Sequence, residues 1–136
     1  IIGTPVQELM DFCGGFTEEP GKVLYGGPMM GNCIADLSQP ILKNNNAVLA
    51  FSKKAAQLPK ATNCIHCGRC TNACPLGLSA KEIVQAYNDG NVELLIELNA
   101  DLCMSCGTCS FVCPAKRPLA PSIALAKIMM KNGGKK

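Results

Sequence analysis

One twelve-residue pattern occurs twice, and it constrains this chain more than anything else in it. Cys64-Ile65-His66-Cys67-Gly68-Arg69-Cys70-Thr71-Asn72-Ala73-Cys74-Pro75 is matched, 39 residues on, by Cys103-Met104-Ser105-Cys106-Gly107-Thr108-Cys109-Ser110-Phe111-Val112-Cys113-Pro114. Six of the twelve positions are identical: the four Cys, one Gly and the final Pro. Eight of the ten cysteines lie in these runs. A disulfide scaffold would follow a secretory leader and scatter its Cys through loops. Here the chain opens Ile1-Ile2-Gly3, with no basic region or long apolar stretch behind it. Thiols two residues apart rarely pair with each other. The density therefore points to metal, and with it to a reducing, cytoplasmic setting.

Each run reads C-x2-C-x2-C-x3-C-P, the iron–sulfur run of bacterial ferredoxins. Three thiolates two residues apart can wrap one cubane if the loop curls around it. Gly68 and Gly107 allow the backbone to approach closely. Backbone N–H groups in such a loop can point at the sulfides and offset their negative charge. The fourth Cys is carried away by a short helix, and in two-cluster ferredoxins it ligates the other cluster. The expected ligand sets are thus Cys64, Cys67, Cys70 and Cys113 for cluster I, and Cys103, Cys106, Cys109 and Cys74 for cluster II. Pro75 and Pro114 turn the chain away after the fourth ligand. Both clusters are expected to be [4Fe–4S]. Zinc is the competing reading. Its sites come as two C-x2-C pairs across a longer loop, which fits four Cys in eleven residues poorly.

The other candidates are weaker. His66 reads as an exposed loop residue, Cys13 and Cys33 as buried free thiols, and Met29 and Met30 as packing residues. Ile65 and Met104 are expected to shield the clusters from water. The sequence shows no nucleophile triad, phosphate loop or paired-carboxylate site, so no catalytic substrate site is assigned. An electron-transfer module is the expected role.

Before the repeats, Thr4-Pro5-Val6-Gln7 has the form of a capping box with Pro at the first helical position. Val6, Leu9, Met10 and Cys13 make an apolar face, and Gly14-Gly15 stops the helix. Strand signals follow at Lys22–Tyr25, Ile41-Leu42 and Ala47–Phe51, with Asn44-Asn45-Asn46 as a turn. This suggests a small α+β unit over residues 1–52, a basic linker over 53–61, and a helical cluster-binding unit over 62–136. Between the repeats, Ser79-Ala80-Lys81-Glu82 forms a second capping box. Asn88-Asp89-Gly90 ends that helix and Asn91 caps the next. Ser122 to Lys131 reads as a final helix with Pro121 near its start.

Charge divides the same way. Residues 1–52 carry a net of −3 and residues 53–136 a net of +6, with six basic residues and no acid from Lys116 to Lys136. That segment suits a solubilising tail, or docking to an acidic protein or a membrane surface. No aromatic or Arg-rich pattern accompanies it, so no nucleic-acid partner is expected. No apolar run reaches the roughly 18 residues of a transmembrane helix.

The double ferredoxin motif occurs in many proteins. Its combination with Ile2-Gly3-Thr4-Pro5-Val6, Cys13-Gly14-Gly15 and Gly26-Gly27-Pro28-Met29-Met30-Gly31, in this order, is more specific. The chain resembles the C-terminal part of the C subunit of the Rnf complex, the membrane-bound, ion-translocating ferredoxin:NAD+ oxidoreductase. The resemblance implies a soluble-ligand-binding β-grasp domain followed by a dicluster ferredoxin domain. It implies one-electron transfer between NADH and flavin on one side and the rest of the complex on the other. The partners would be other subunits of the complex and ferredoxin, and the location would be peripheral, on the inner face of the cell membrane. In that family the NADH- and flavin-binding region lies upstream, so FMN and NADH are expected outside this stretch of sequence. Two rival readings are a soluble cobalamin reductase of the propanediol-utilisation kind and a purely structural role for the clusters.

Overall fold

The computed structural model describes residues 1–133. Lys135 and Lys136, the end of the basic run, lie outside the described residues. The chain divides into two compact units, Ile1–Leu58 and Pro59–Lys136. The first is a helix with a small antiparallel sheet, and the second is helical.

In the first unit, helix α1 (Val6–Phe12) precedes strands β1 (Pro20–Tyr25), β2 (Asn32–Ile34) and β3 (Val48–Ser52), and a short helix α2 (Lys53–Ala56) follows. The sheet order is β2-β1-β3, antiparallel throughout, with Val23 opposite both Ile34 and Ala50. Val6, Val23 and Ile34 form the buried core, with Met10, Phe16, Leu37 and Ile41 packed against it. Gly21 lets α2 lie on β1, because a Cβ there would sit 2.7 Å from Ala56 Cβ.

The capping box at Thr4 does not form. The helix starts at Val6 with no side-chain cap. Its first N–H groups are instead taken by a distant segment: Val6 N donates to Gln39 O at 3.0 Å and Gln7 N to Leu37 O at 3.0 Å. Tertiary carbonyls have displaced the local cap. Ile41-Leu42 is likewise no sheet strand. Ile41 instead exchanges backbone hydrogen bonds with Gly3 and Thr4 at 2.8 Å. The glycine stop forms as a Schellman motif, with Gly14 N donating to Asp11 O and Gly15 N to Met10 O. Residues 53–56, read from sequence as the start of a linker, are α2.

The second unit contains α3 (Arg69–Asn72), α4 (Ala80–Asn88), α5 (Val92–Glu97), a 3-10 turn (Ala100–Leu102), α6 (Thr108–Phe111) and α7 (Leu119–Gly133). Ile83, Leu95 and Ile123 are its largest fully buried side chains, joining α4, α5 and α7 in one core. Gly90 ends α4 as expected: its N–H reaches Tyr87 O, and Asn91 N reaches Ala86 O. Asn91 also caps α5, its Oδ1 accepting from Leu94 N at 3.0 Å. Ser79 occupies the N-cap position of α4 but makes no capping hydrogen bond. Helix α7 begins three residues before Ser122, because Pro121 in a first turn forfeits only an N–H with no intrahelical partner.

Candidate metal centre

The two Cys loops have the same backbone. His66 and Ser105, at equivalent positions, both take left-handed conformations, with φ of 55° and 56°. Gly68 and Gly107 do the same at 72° and 79°, and each precedes a four-residue helix, α3 or α6. A side chain at either glycine would be strained, which gives that identical position a physical reason. The reversals bring N–H groups back toward sulfur. His66 N donates to Cys64 Sγ at 3.4 Å and Ser105 N to Cys103 Sγ at 3.5 Å.

Each loop faces a cavity, and the cavities take thiols from both runs. The first, about 240 Å³, is lined by Cys64, Cys67, Cys70 and Cys113. The second is lined by Cys103, Cys106, Cys109 and Cys74. It is much tighter, about 20 Å³. The thiols stand around these walls rather than at a point. Among the described residues no three Cys, His, Asp or Glu come close enough to hold a single ion. Four-coordinate zinc draws its thiolates to one centre, whereas a multi-iron cluster keeps them apart. All-thiol donors, N–H groups aimed at sulfur and left-handed glycines fit an iron–sulfur group.

The walls differ. His66, Lys81, Glu82, Gln85 and Arg117 contribute to the first. Lys81 Nζ lies 3.2 Å from His66 Nδ1; with the ammonium donating, Nδ1 accepts. The second wall is built from Leu76, Leu78, Ala80, Met104, Ala120 and Ile123, with no charged side chain among the described residues. In the second loop, the Thr108 hydroxyl and its backbone N–H hold the Cys106 thiol below its ordinary value. Burial pushes the Cys109 thiol up.

Several expectations change here. Cys13 and Cys33 are exposed, not buried. Cys13 follows the last turn of α1, where the chain has already left the apolar face. Met29 and Met30 are exposed as well, on a loop that lines an uncharged cavity of about 620 Å³ with Asn44, Asn45 and Asn46. Ile65 and Met104 do line the cluster cavities, but each is more than half exposed. His66 is exposed, as expected. One neighbour was missed. Lys127, counted from sequence among the tail charges, donates to the Cys103 carbonyl at 2.8 Å. Their separation of 24 positions leaves no local signal of this contact.

Residues 60–117 match the 4Fe-4S dicluster domain family, and residues 1–32 match the SLBB domain family. The cysteine-rich segment is thus a dicluster domain, and the chain's cofactors are two [4Fe–4S] clusters. The chain is 43% identical over 127 residues to the C subunit of the Na(+)-translocating ferredoxin:NAD(+) oxidoreductase complex of Acetobacterium woodii, covering 93% of this chain and 28% of that protein. It is 46% identical over 95 residues to the C subunit of the ion-translocating oxidoreductase complex of Rhodobacter capsulatus, covering 68% of this chain and 18% of that one. The corresponding C subunit of Methanosarcina acetivorans is 35% identical over 96% of this chain and 29% of its own length. The chain therefore spans less than a third of these relatives. No described helix is long and apolar enough to cross a membrane.

Proposed function

Because the chain is a relative of the C subunits of ion-translocating oxidoreductase complexes, we propose that it carries electrons singly through two [4Fe–4S] clusters within a membrane-associated complex of the Rnf type. In this reading the clusters link NADH and flavin chemistry held elsewhere in the complex to ferredoxin. The chain is peripheral, on the inner face of the membrane, and its partners are the other subunits. Residues 1–52, within the unit Ile1–Leu58, serve as a β-grasp-like domain of the soluble-ligand-binding kind.

Cluster I is held by Cys64, Cys67, Cys70 and Cys113, and cluster II by Cys103, Cys106, Cys109 and Cys74. One observation carries the assignment: each cavity is walled by three thiols of one run and the fourth thiol of the other. A bound cubane supplies a one-electron carrier whose potential the protein sets. The chain's residues supply the rest. Eight thiolates anchor the clusters. The His66 and Ser105 N–H groups donate to Cys64 and Cys103 sulfur and offset charge there. Leu78, Ala80 and Ile123 close the second wall against water.

Double variants test the crossing. After anaerobic reconstitution the parent chain should bind about eight irons and eight sulfides. Cys74→Ala with Cys103→Ala removes two ligands of one cluster, so about four irons should remain. Cys64→Ala with Cys74→Ala strikes both clusters, and neither should load fully. The reverse pattern would sink the crossed assignment.

A further inference from the structure

The two cavities have equivalent loops but unlike walls, and a cluster's potential depends on its surroundings. On accepting an electron, a thiolate-ligated cluster becomes more negative by one unit. Nearby cations and water-accessible polar groups favour that state, whereas an apolar wall disfavours it.

Lys81 and Arg117 contribute cationic side chains to the first wall, and Glu82 opposes them with one carboxylate. Lys81 is partly buried, and its contact with His66 Nδ1 fixes the ammonium at the loop carrying Cys64 and Cys67. At the second site, among the described residues, the cation is Lys127, bound to the Cys103 carbonyl and absent from the cavity wall. The wall itself is apolar. The backbone N–H donations to sulfur are matched, at 3.4 and 3.5 Å, and so do not separate the sites.

Resting on the crossed two-cluster reading, we infer that Lys81, backed by Arg117, holds the site walled by Cys64, Cys67, Cys70 and Cys113 at the higher reduction potential. An electron delivered to the domain then rests there first. Lys81 is a positioning residue in this scheme. It ligates nothing and acts by its charge. The step is the gain of one electron, with no bond formed or broken and the electron drawn from a low-potential one-electron donor.

The test is an anaerobic dithionite titration of the reconstituted chain, followed by electron paramagnetic resonance, with iron and sulfide counted beforehand. Two one-electron steps are expected, and because interacting sites share their steps, the measurement asks which step each variant moves. Lys81→Met should lower the higher step by about tenfold in the reduced-to-oxidised ratio, about 59 mV for one electron. The lower step should stay in place, and Lys81→Arg should restore the parent curve. Glu82→Gln should move the higher step the opposite way, which keeps the test open should Lys81→Met load poorly. Lys127→Met should move only the lower step. If Lys81→Met and Glu82→Gln shift the lower step, or neither step in fully loaded protein, the potential assignment is wrong. A parent chain short of eight irons and eight sulfides overturns the two-cluster reading, and this inference with it.

Discussion

The two units reach order by different means. In Ile1–Leu58 the buried cluster consists of Val6, Val23 and Ile34 alone. Much of the remaining order comes from backbone groups meeting across long stretches of chain, such as Val6 with Gln39 and Gly3 with Ile41. In Pro59–Lys136 a larger core runs through Ile83, Leu95, Ala100, Leu119 and Ile123 and includes Cys109 and Cys113 among its buried members. There thiols of the two Cys runs are part of the core. The comparison teaches that removing the clusters should damage one unit and spare the other, whereas a lost methyl group should be felt most where few are buried.

The largest effect expected is therefore from iron removal. Anaerobic chelation should strip hydrogen-exchange protection from residues 64–75 and 103–114 and loosen the α4–α7 core, since ligand binding there is also folding free energy. Exchange over β1, β2 and β3 should not change. Equal loss in both units would break the comparison. Next in size is Val6→Ala, which empties part of the smaller core. It should destabilise Ile1–Leu58 by about 2 kcal/mol, read as a lower denaturation midpoint for that unit. Iron content should remain as in the parent.

Smallest is the effect of acid on the first unit. Glu19 sits below the usual carboxylate range through its hydrogen bond and charge contact with Lys53, and Asp36 through donation from the Ser38 hydroxyl and N–H. A lowered folded-state value stabilises the fold above the ordinary carboxylate range. That contribution is lost as pH falls through the lowered values. Both carboxylates are fully exposed, so the dependence should be slight. Lys53→Met should raise the Glu19 titration midpoint, followed by NMR, and leave the neutral-pH denaturation midpoint within error. A large midpoint change would mean that the pair matters to the fold well beyond an exposed contact.

What the sequence revealed followed the range of each interaction. The Gly14-Gly15 and Gly90 stops and the Asn91 cap act within a few residues of themselves, and each formed as read. The Thr4 box failed because carbonyls 30 and 33 residues away took its N–H groups. Ser79 reached the right position without making its bond. The spacing of the eight thiols, their repetition and their final prolines were legible at once. The unlike walls were not, since Lys81, Arg117 and Lys127 acquire their relation to the Cys loops only when α4 and α7 pack. Cys13 and Cys33 were misjudged because a general preference of cysteine for burial was applied to positions on the rim of a very small core.

The sharing of thiols between the two runs also bears on how the protein is made. A ribosome releases the chain from its N-terminus. When the first run has emerged, it offers three of the four thiols that wall its cavity, and the fourth, Cys113, is still to be synthesised. The second cavity needs Cys74 from the earlier run, and its set closes once Cys109 is out, four residues before Cys113. Neither pocket can be completed on a chain that stops before Cys109. Truncation before Cys109 leaves both sets incomplete, whereas a chain that ends between Cys109 and Cys113 lacks only the last thiol of the first set. On the proposed ligand sets, a product cut before Cys109 would complete neither cluster, so cofactor loading would register chain length.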